Sequence, residues 1–278
     1  MSQLIRIAHS PDADDAFMHY AVVRGKVAAE GLRFAETLAD IETLNQKAKD
    51  GVYEVTAVSL HAFAYLDERY ALLNSGASLG DGYGPVVIAR EPMAREDLGG
   101  ATVATPGRLT SARLALQLWQ PGARCVDIDF DAVMDAVREG KADAGVIIHE
   151  GQLTYGDEGF AKIADLGEWW TGETGTPLPL GGNAIRRDLG EELMRRVAAA
   201  LEASIRYALE HRDEALSHAL ALGRGLDRAK GDRFVGMYVN EATLDYGERG
   251  RRGVDLFYRR AHDAGLIPRV PRPDFVRG

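Results

Sequence analysis

The chain has 278 residues, 46% hydrophobic and 27% charged, with a formal net charge of −9 and a single cysteine. That is the composition of a globular protein with ample chain for a large core, and the acidic balance disfavours a nucleic acid as partner, although a small anion senses only its own pocket. One cysteine, Cys125, excludes an internal disulfide and a cysteine-based zinc site, and reads as a buried small hydrophobe. No stretch approaches about 20 uninterrupted apolar residues. The opening MSQLIRIAHSPDADDAF is too short and too interrupted in apolar content for a signal-peptide core. A cytoplasmic protein with no membrane partner is therefore expected, its oligomeric state open.

Strand and helix signals then alternate. LIRIAHS reads as a buried strand. Pro11 to Val23 follows with helical spacing, and Ser10 before Pro11 fits an N-cap. LRFAETLA predicts a strand, IETLNQKAKDG a helix ending at Gly51, YEVTAVSL a third strand and HAFAYLDERY a helix-compatible segment. ALLNSGASLG leads into the glycine-rich GDGYG, which reads as a hinge or cleft loop. A second series begins at PVVIAR and continues through strand ATVATP, helix TSARLALQLW, strand RCVDIDF, helix DAVMDAVREG and strand ADAGVIIHE. After AKIADLGEWW and the Pro/Gly-rich TGETGTPLPLGG, residues 189–264 read as mostly helical, with a break near His211 to Asp213.

Strands alternating with helices predict an α/β fold with parallel sheets. Two such series predict two lobes with a ligand cleft between them: 1–86 plus 180–278 as the first, 87–179 as the second. Open α/β sheets bind ligands outside the carboxyl ends of their strands, so four strand-end junctions are the candidate sites. At His9-Ser10-Pro11-Asp12, Ser10 is either a cleft residue or a helix cap. The aspartates there lack the glycine and terminal glutamate of an EF-hand loop, so no metal is indicated. In Thr56-Ala57-Val58-Ser59, Ser59 either donates to a ligand or caps the next helix. In Thr105-Pro106-Gly107-Arg108-Leu109-Thr110-Ser111, paired hydroxyls at an apolar helix start form a seat for a carboxylate, or a plain cap. Arg108 adds charge there or is solvated, and the missing P-loop lysine argues against nucleoside triphosphates. Finally, His149 ends the strand Gly145-Val146-Ile147-Ile148. Imidazole is the usual proton-transfer group near neutral pH, and a structural histidine is the alternative. HEGQL lacks the second histidine of a zincin. Trp169 and Trp170 could stack on an aromatic ligand or pack in the core.

Four segments, IIHEGQLTY, DLGEWW, TGTPLPLGG and YVNEATLDYG, with weaker support from PGRLTSA and DIETLN, resemble the 1,4-dihydroxy-6-naphthoate synthase family of the futalosine route to menaquinone. In order they run from Asp40 to Gly247. The resemblance implies a periplasmic-binding-protein-like (type II) fold used as an enzyme, a lyase that cleaves cyclic dehypoxanthinyl futalosine and releases a three-carbon fragment. It implies a small aromatic carboxylate substrate and no metal or organic cofactor. It places the catalytic histidine of the IIHE motif, the general base, on His149, and substrate contacts on Ala57, Val58 and Ser59 and on Thr110 and Ser111. The first junction departs from the pattern SPCPNDTF found in many members: Ser10, Pro11, Asp15 and Phe17 persist, while Asp14 stands for Asn and Ala16 for Thr. A non-catalytic solute-binding protein or sensor, and the sister chorismate dehydratase on the same fold, are the competing readings.

Overall fold

The computed structural model describes residues 2–222 and 227–278. In chain order its strands are β1 (Gln3–His9), β2 (Leu32–Leu38), β3 (Val55–Ser59), β4 (Tyr70–Leu73), β5 (Ser78–Gly80), β6 (Val86–Ala89), β7 (Thr102–Thr105), β8 (Arg124–Asp127), β9 (Ala144–Ile147), β10 (Ala161–Asp165), β11 (Leu178–Arg186) and β12 (Phe275–Val276). Its α-helices are α1 (Ala13–Val23), α2 (Ile41–Lys49), α3 (Leu60–Phe63), α4 (Ser111–Trp119), α5 (Val133–Arg138), α6 (Leu166–Thr174), α7 (Glu191–Glu210), α8 (Arg212–Leu222), α9 (Arg228–Tyr238), α10 (Glu241–Leu244) and α11 (Gly247–Asp263). The expected helical stretch 189–264 holds over the described residues, and its break falls at His211; residues 223–226 lie outside them.

The chain divides into two compact units, the first Met1–Ser78, Gly181–Glu248 and Pro271–Gly278, the second Leu79–Leu180 and Arg249–Val270. Most of α11 thus groups with the second unit. Its Phe257 ring packs edge-on against Trp170, and Gly253 lies against the Pro177 carbonyl at a distance no side chain would fit.

One sheet runs β12-β4-β11-β3-β1-β2, with β5 also on β11. Here β1 is parallel to both β2 and β3, while β11 runs antiparallel to β3 and β4. Ile5, Ile7, Val55, Leu73 and Ile185 from these strands pack with Val197 and Leu201 of α7. Each such aliphatic side chain contributes roughly 1.5–3 kcal/mol by leaving water. Helix α7 shows why: Met194, Val197, Ala198, Leu201, Ile205 and Ala208 recur at helical spacing and are buried, while Glu191–Arg195 and Glu202–Arg206 pair on the outer face. Buried Ser204 ties α7 to α1, its hydroxyl donating to the Met18 carbonyl and accepting from the Val22 N–H.

The second sheet runs β10-β6-β9-β7-β8, with β9, β7 and β8 parallel and β6 antiparallel to both of its neighbours, β9 and β10. Val86, Ile88, Ala104 and Ile147 pack there with Val133 and Val137 of α5. Cys125 is only half-buried on edge strand β8, short of the full burial expected of it; what burial it has pushes its thiol pKa up. Of the Pro/Gly-rich segment TGETGTPLPLGG, the first residues close α6 and Leu178 onward open β11. Its pairing with β3 begins at Gly181 and with β4 at Ala184, and β5 pairs with it as well. In the GDGYG segment, a Cβ on Gly80 or on Gly167 of α6 would strike the Tyr83 carbonyl. Close backbone approach accounts for those glycines. Among the described residues no helix is long and apolar enough to cross a membrane.

Under the sheet of the first unit lies a histidine group. The His9 ring nitrogens face the Ser10 carbonyl at 2.7 Å and the Glu36 carboxylate at 3.0 Å. The ring stacks on His19 with centroids 4.3 Å apart. His19 donates from Nδ1 to the Asp15 carbonyl at 2.8 Å, and its buried Nε2 has no hydrogen-bond partner among the described residues. Burial, reinforced by His9, holds the His19 pKa well below the ordinary value, and burial with Arg24 lowers that of His218. Below pH of about 6.5 the unfolded chain binds protons at these sites that the folded chain does not. Their stability contribution is therefore complete above that pH and is lost below it, for the fully buried His19 by up to about 1.4 kcal/mol per pH unit. Urea melts at pH about 7.5 and about 5.5 should show this acid sensitivity, and His19→Phe should reduce it whatever its stability at the higher pH. An equal loss in that variant would assign the sensitivity elsewhere.

Candidate active site

Parallel neighbours end on the same sheet edge, and each unit has one such pair. In the first unit Ile7 faces Val55 and Ala8 faces Thr56, so the ends of β1 and β3 bring Ser10 and Ala57-Val58-Ser59 to one edge. All four are buried. Ser10 is not the cap expected: α1 starts at Ala13 with Asp12 at its N-cap. Pro11 therefore precedes the helix, and Ser10 instead braces the turn. Its N–H donates to the Asp15 carboxylate at 3.0 Å and its Oγ accepts from the Asp12 N–H at 3.2 Å. Ser59 occupies the N-cap position of α3, but its side chain makes no capping bond. Asn45 of α2 holds it instead. The Ser59 N–H donates to Asn45 Oδ1 at 2.9 Å, and Asn45 Nδ2 donates to Ser59 Oγ at 3.1 Å.

In the second unit Val103 faces Ala144 and Ala104 faces Gly145, so the turn after β7 and the end of β9 share an edge. Thr110 is the N-cap of α4 as expected. Its Oγ1 accepts from the Arg113 N–H at 3.3 Å and donates to the Gly107 carbonyl at 2.9 Å. The Ser111 hydroxyl donates to the Leu180 carbonyl at 2.6 Å. Both side chains are thus engaged within the protein, and what α4 offers an anion is the first-turn N–H groups and the positive helix end. Arg108 is exposed.

His149 leaves β9 after Ile148 and caps the short turn Glu150–Leu153, the Gly151 N–H donating to its Nδ1 at 2.9 Å. The ring is buried and meets Phe130 edge-on at 5.7 Å. An Nδ1 that accepts carries no proton, so the neutral ring as placed is the Nε2–H tautomer. Gly151 is required beside it, because a Cβ there would lie 2.7 Å from His149 Cε1 and 3.1 Å from Ile147 Cγ2.

The remaining sequence candidates separate. Trp170 is core: fully buried, with Nε1 donating to Thr176 Oγ1 and the Arg260 guanidinium over its face. Trp169 is half-buried beside it. Among the described residues no group of three or more His, Cys, Asp or Glu side chains is placed to hold a metal ion. Asn45 and Gly151 are the site residues that motif reading passes over. The available signal was a lone asparagine at a buried position of an otherwise charged helix, and a glycine two residues past a strand-end histidine.

A family model described as menaquinone biosynthesis matches residues 5–263. The 1,4-dihydroxy-6-naphthoate synthase of Thermus thermophilus is 40% identical over 274 residues, covering 99% of this chain and 100% of that one. Among solved structures, a protein from Archaeoglobus fulgidus is similar with a TM-score of 0.91 and 46% identity, over 95% of this chain and 98% of that one. A Candida albicans protein described as exhibiting the generic periplasmic binding protein structural fold aligns with a TM-score of 0.69 at 12% identity, over 98% of each chain. The fold is therefore α/β and periplasmic-binding-protein-like.

Gly151→Ala should leave the protein folded and move the imidazole. In NMR spectra the His149 ring resonances should shift while the circular dichroism stays that of the parent; unshifted ring resonances would show that the close approach does not set the ring's position.

Proposed function

Because the chain belongs to the menaquinone-biosynthesis family over nearly its whole length, we propose that it catalyses the 1,4-dihydroxy-6-naphthoate synthase reaction, cleaving cyclic dehypoxanthinyl futalosine as a carbon–carbon lyase. The observation that carries this reading is full-length 40% identity to a relative of that name, combined with a histidine at a strand's carboxyl end beside a helix N-terminus on the same sheet edge. The reaction is placed in the cytoplasm, on a free small molecule rather than a nucleic acid or a membrane, and it calls on no metal or organic cofactor.

The start of α4, at Thr110 and Ser111, would receive the substrate carboxylate through backbone N–H groups, since both hydroxyls are already engaged. Ser10, Ala57, Val58 and Ser59 would supply further substrate contacts. His149 would take a proton from the sugar-derived portion as general base. Electron flow then breaks the carbon–carbon bond, and aromatisation to the naphthalene diol supplies the driving force. For Nε2 to accept that proton, the ring must carry its own proton on Nδ1, and an Nδ1–H cannot face the Gly151 N–H. Base action at Nε2 therefore includes a turn of the imidazole off Gly151.

Incubation with cyclic dehypoxanthinyl futalosine should release the naphthoate, followed by mass and absorbance. His149→Ala should lower kcat by about 10²–10⁴-fold, the range of a general base, with substrate binding by calorimetry largely retained. Near-normal turnover in that variant would overturn the base. Binding without turnover by the parent protein would point to a solute-binding protein, and dehydration of chorismate to the sister enzyme.

A further inference from the structure

We infer that Asn45 is a positioning residue that sets the polarity of the Ser59 hydroxyl, holding it as a hydrogen-bond donor toward an acceptor oxygen of the substrate. The inference rests on the reading of Ser59 as a substrate contact. Asn45 is fully buried, and the Ser59 N–H donates to its Oδ1 at 2.9 Å. That bond assigns the amide: the oxygen faces the Ser59 backbone, so the NH₂ group faces Ser59 Oγ at 3.1 Å. A hydroxyl that accepts from an NH₂ cannot also donate to it, so its own proton must point elsewhere. Among the described residues no acceptor takes that proton. Two other candidate hydroxyls behave differently. Thr110 spends its hydroxyl proton on the Gly107 carbonyl and Ser111 on the Leu180 carbonyl. Of these three hydroxyls only Ser59 has its proton directed away from the protein's own carbonyls. Ser59 is nearly inaccessible at 4% exposure, and a buried donor without an acceptor is disfavoured unless a ligand or water completes it. The partner chemistry is thus a carbonyl, carboxylate or ether oxygen, not a donor group.

Asn45→Asp tests the polarity rather than the contact. A carboxylate still accepts from the Ser59 N–H but also accepts from its O–H, turning the hydroxyl inward. KM for cyclic dehypoxanthinyl futalosine should rise about 10-fold, with kcat within about 2-fold of the parent, as expected for loss of one hydrogen bond to substrate. Ser59→Ala should raise KM similarly, and the double variant should be no worse than either single one. Lowering the pH should shrink the Asn45→Asp deficit, because a protonated carboxyl can again donate to Ser59 Oγ; a purely structural defect has no reason to recover. Should Asn45→Asp not fold by circular dichroism, Asn45→Ala replaces it. That variant frees the hydroxyl instead of reversing it, so KM should rise only about 3-fold, without a pH effect of its own. An unchanged KM in Ser59→Ala, with the parent active, would overturn Ser59 as a contact and Asn45 with it. A raised KM in Ser59→Ala beside an unchanged KM in the folded Asn45 variant, or additive effects in the double variant, would overturn Asn45 alone. So would a fall in kcat with KM unchanged.

Discussion

The parallel pairing of β1 with β3, and of β7 with β9, is the constraint on which the candidate site depends. Parallel strands point the same way, so whatever follows each strand emerges on one sheet edge. The register does the rest. With Ile7 opposite Val55 and Val103 opposite Ala144, residues far apart in sequence become neighbours at that edge. Ser10 and Ser59 are 49 positions apart in the chain yet lie at the ends of adjacent strands, and Thr110 and His149 likewise follow the adjacent strands β7 and β9. Burial of the aliphatic strand faces against α7 and α5 fixes that register, because a one-residue slip would turn Ile5, Ile7 and Val55, or Ala104 and Ile147, away from their helices. The core therefore positions the chemistry.

Much of this is legible in the sequence because it depends on periodicity and on strand ends. Short apolar runs followed by helical spacing identified β1, β2, β3, β6, β7, β8 and β9, and the hydroxyl before an apolar run identified Thr110 as a cap. What escaped depends on pairing partners that a local pattern does not contain. TGTPLPLGG has the composition of a loop, yet from Leu178 it enters β11 because β3, β4 and β5 are there to pair with that strand. HAFAYLDERY has helical spacing, but only Leu60–Phe63 is α-helix, since the chain must turn in time to lay Tyr70 into β4. Ser10 has a cap's sequence context and a brace's job, because the acid five residues on competes successfully for its N–H.

Residue identity at a strand end therefore says which groups are near the chemistry, not what they have left to offer. Four hydroxyl residues were candidates. In the fold, Thr110 and Ser111 have already donated to backbone carbonyls, Ser10 accepts from Asp12, and Ser59 accepts from Asn45. The same accounting applies to His149. A histidine reads as a base from its type, but its Nδ1 is engaged by Gly151, and that bond chooses the tautomer. Satisfied polar groups are the rule in protein interiors, so the few whose capacity is only partly used carry the functional information.

The same reasoning locates the consequence of the divergent turn SPDADDAF. Two of its hydrogen bonds centre on Ser10, which supplies an N–H to the Asp15 carboxylate and an Oγ that accepts from the Asp12 N–H. Ser10 and Asp15 both persist from the pattern SPCPNDTF. The substituted positions fall where the helix begins, with Asp12 at the N-cap, Ala13 as the first helical residue and Asp14 in the acidic first turn, placements that the helix end favours on electrostatic grounds alone. Ala16 is buried against the core, where a smaller side chain replaces a hydroxyl that would have needed a partner. The changes therefore alter how α1 starts and packs, and leave intact the bond that holds Ser10 at the end of β1.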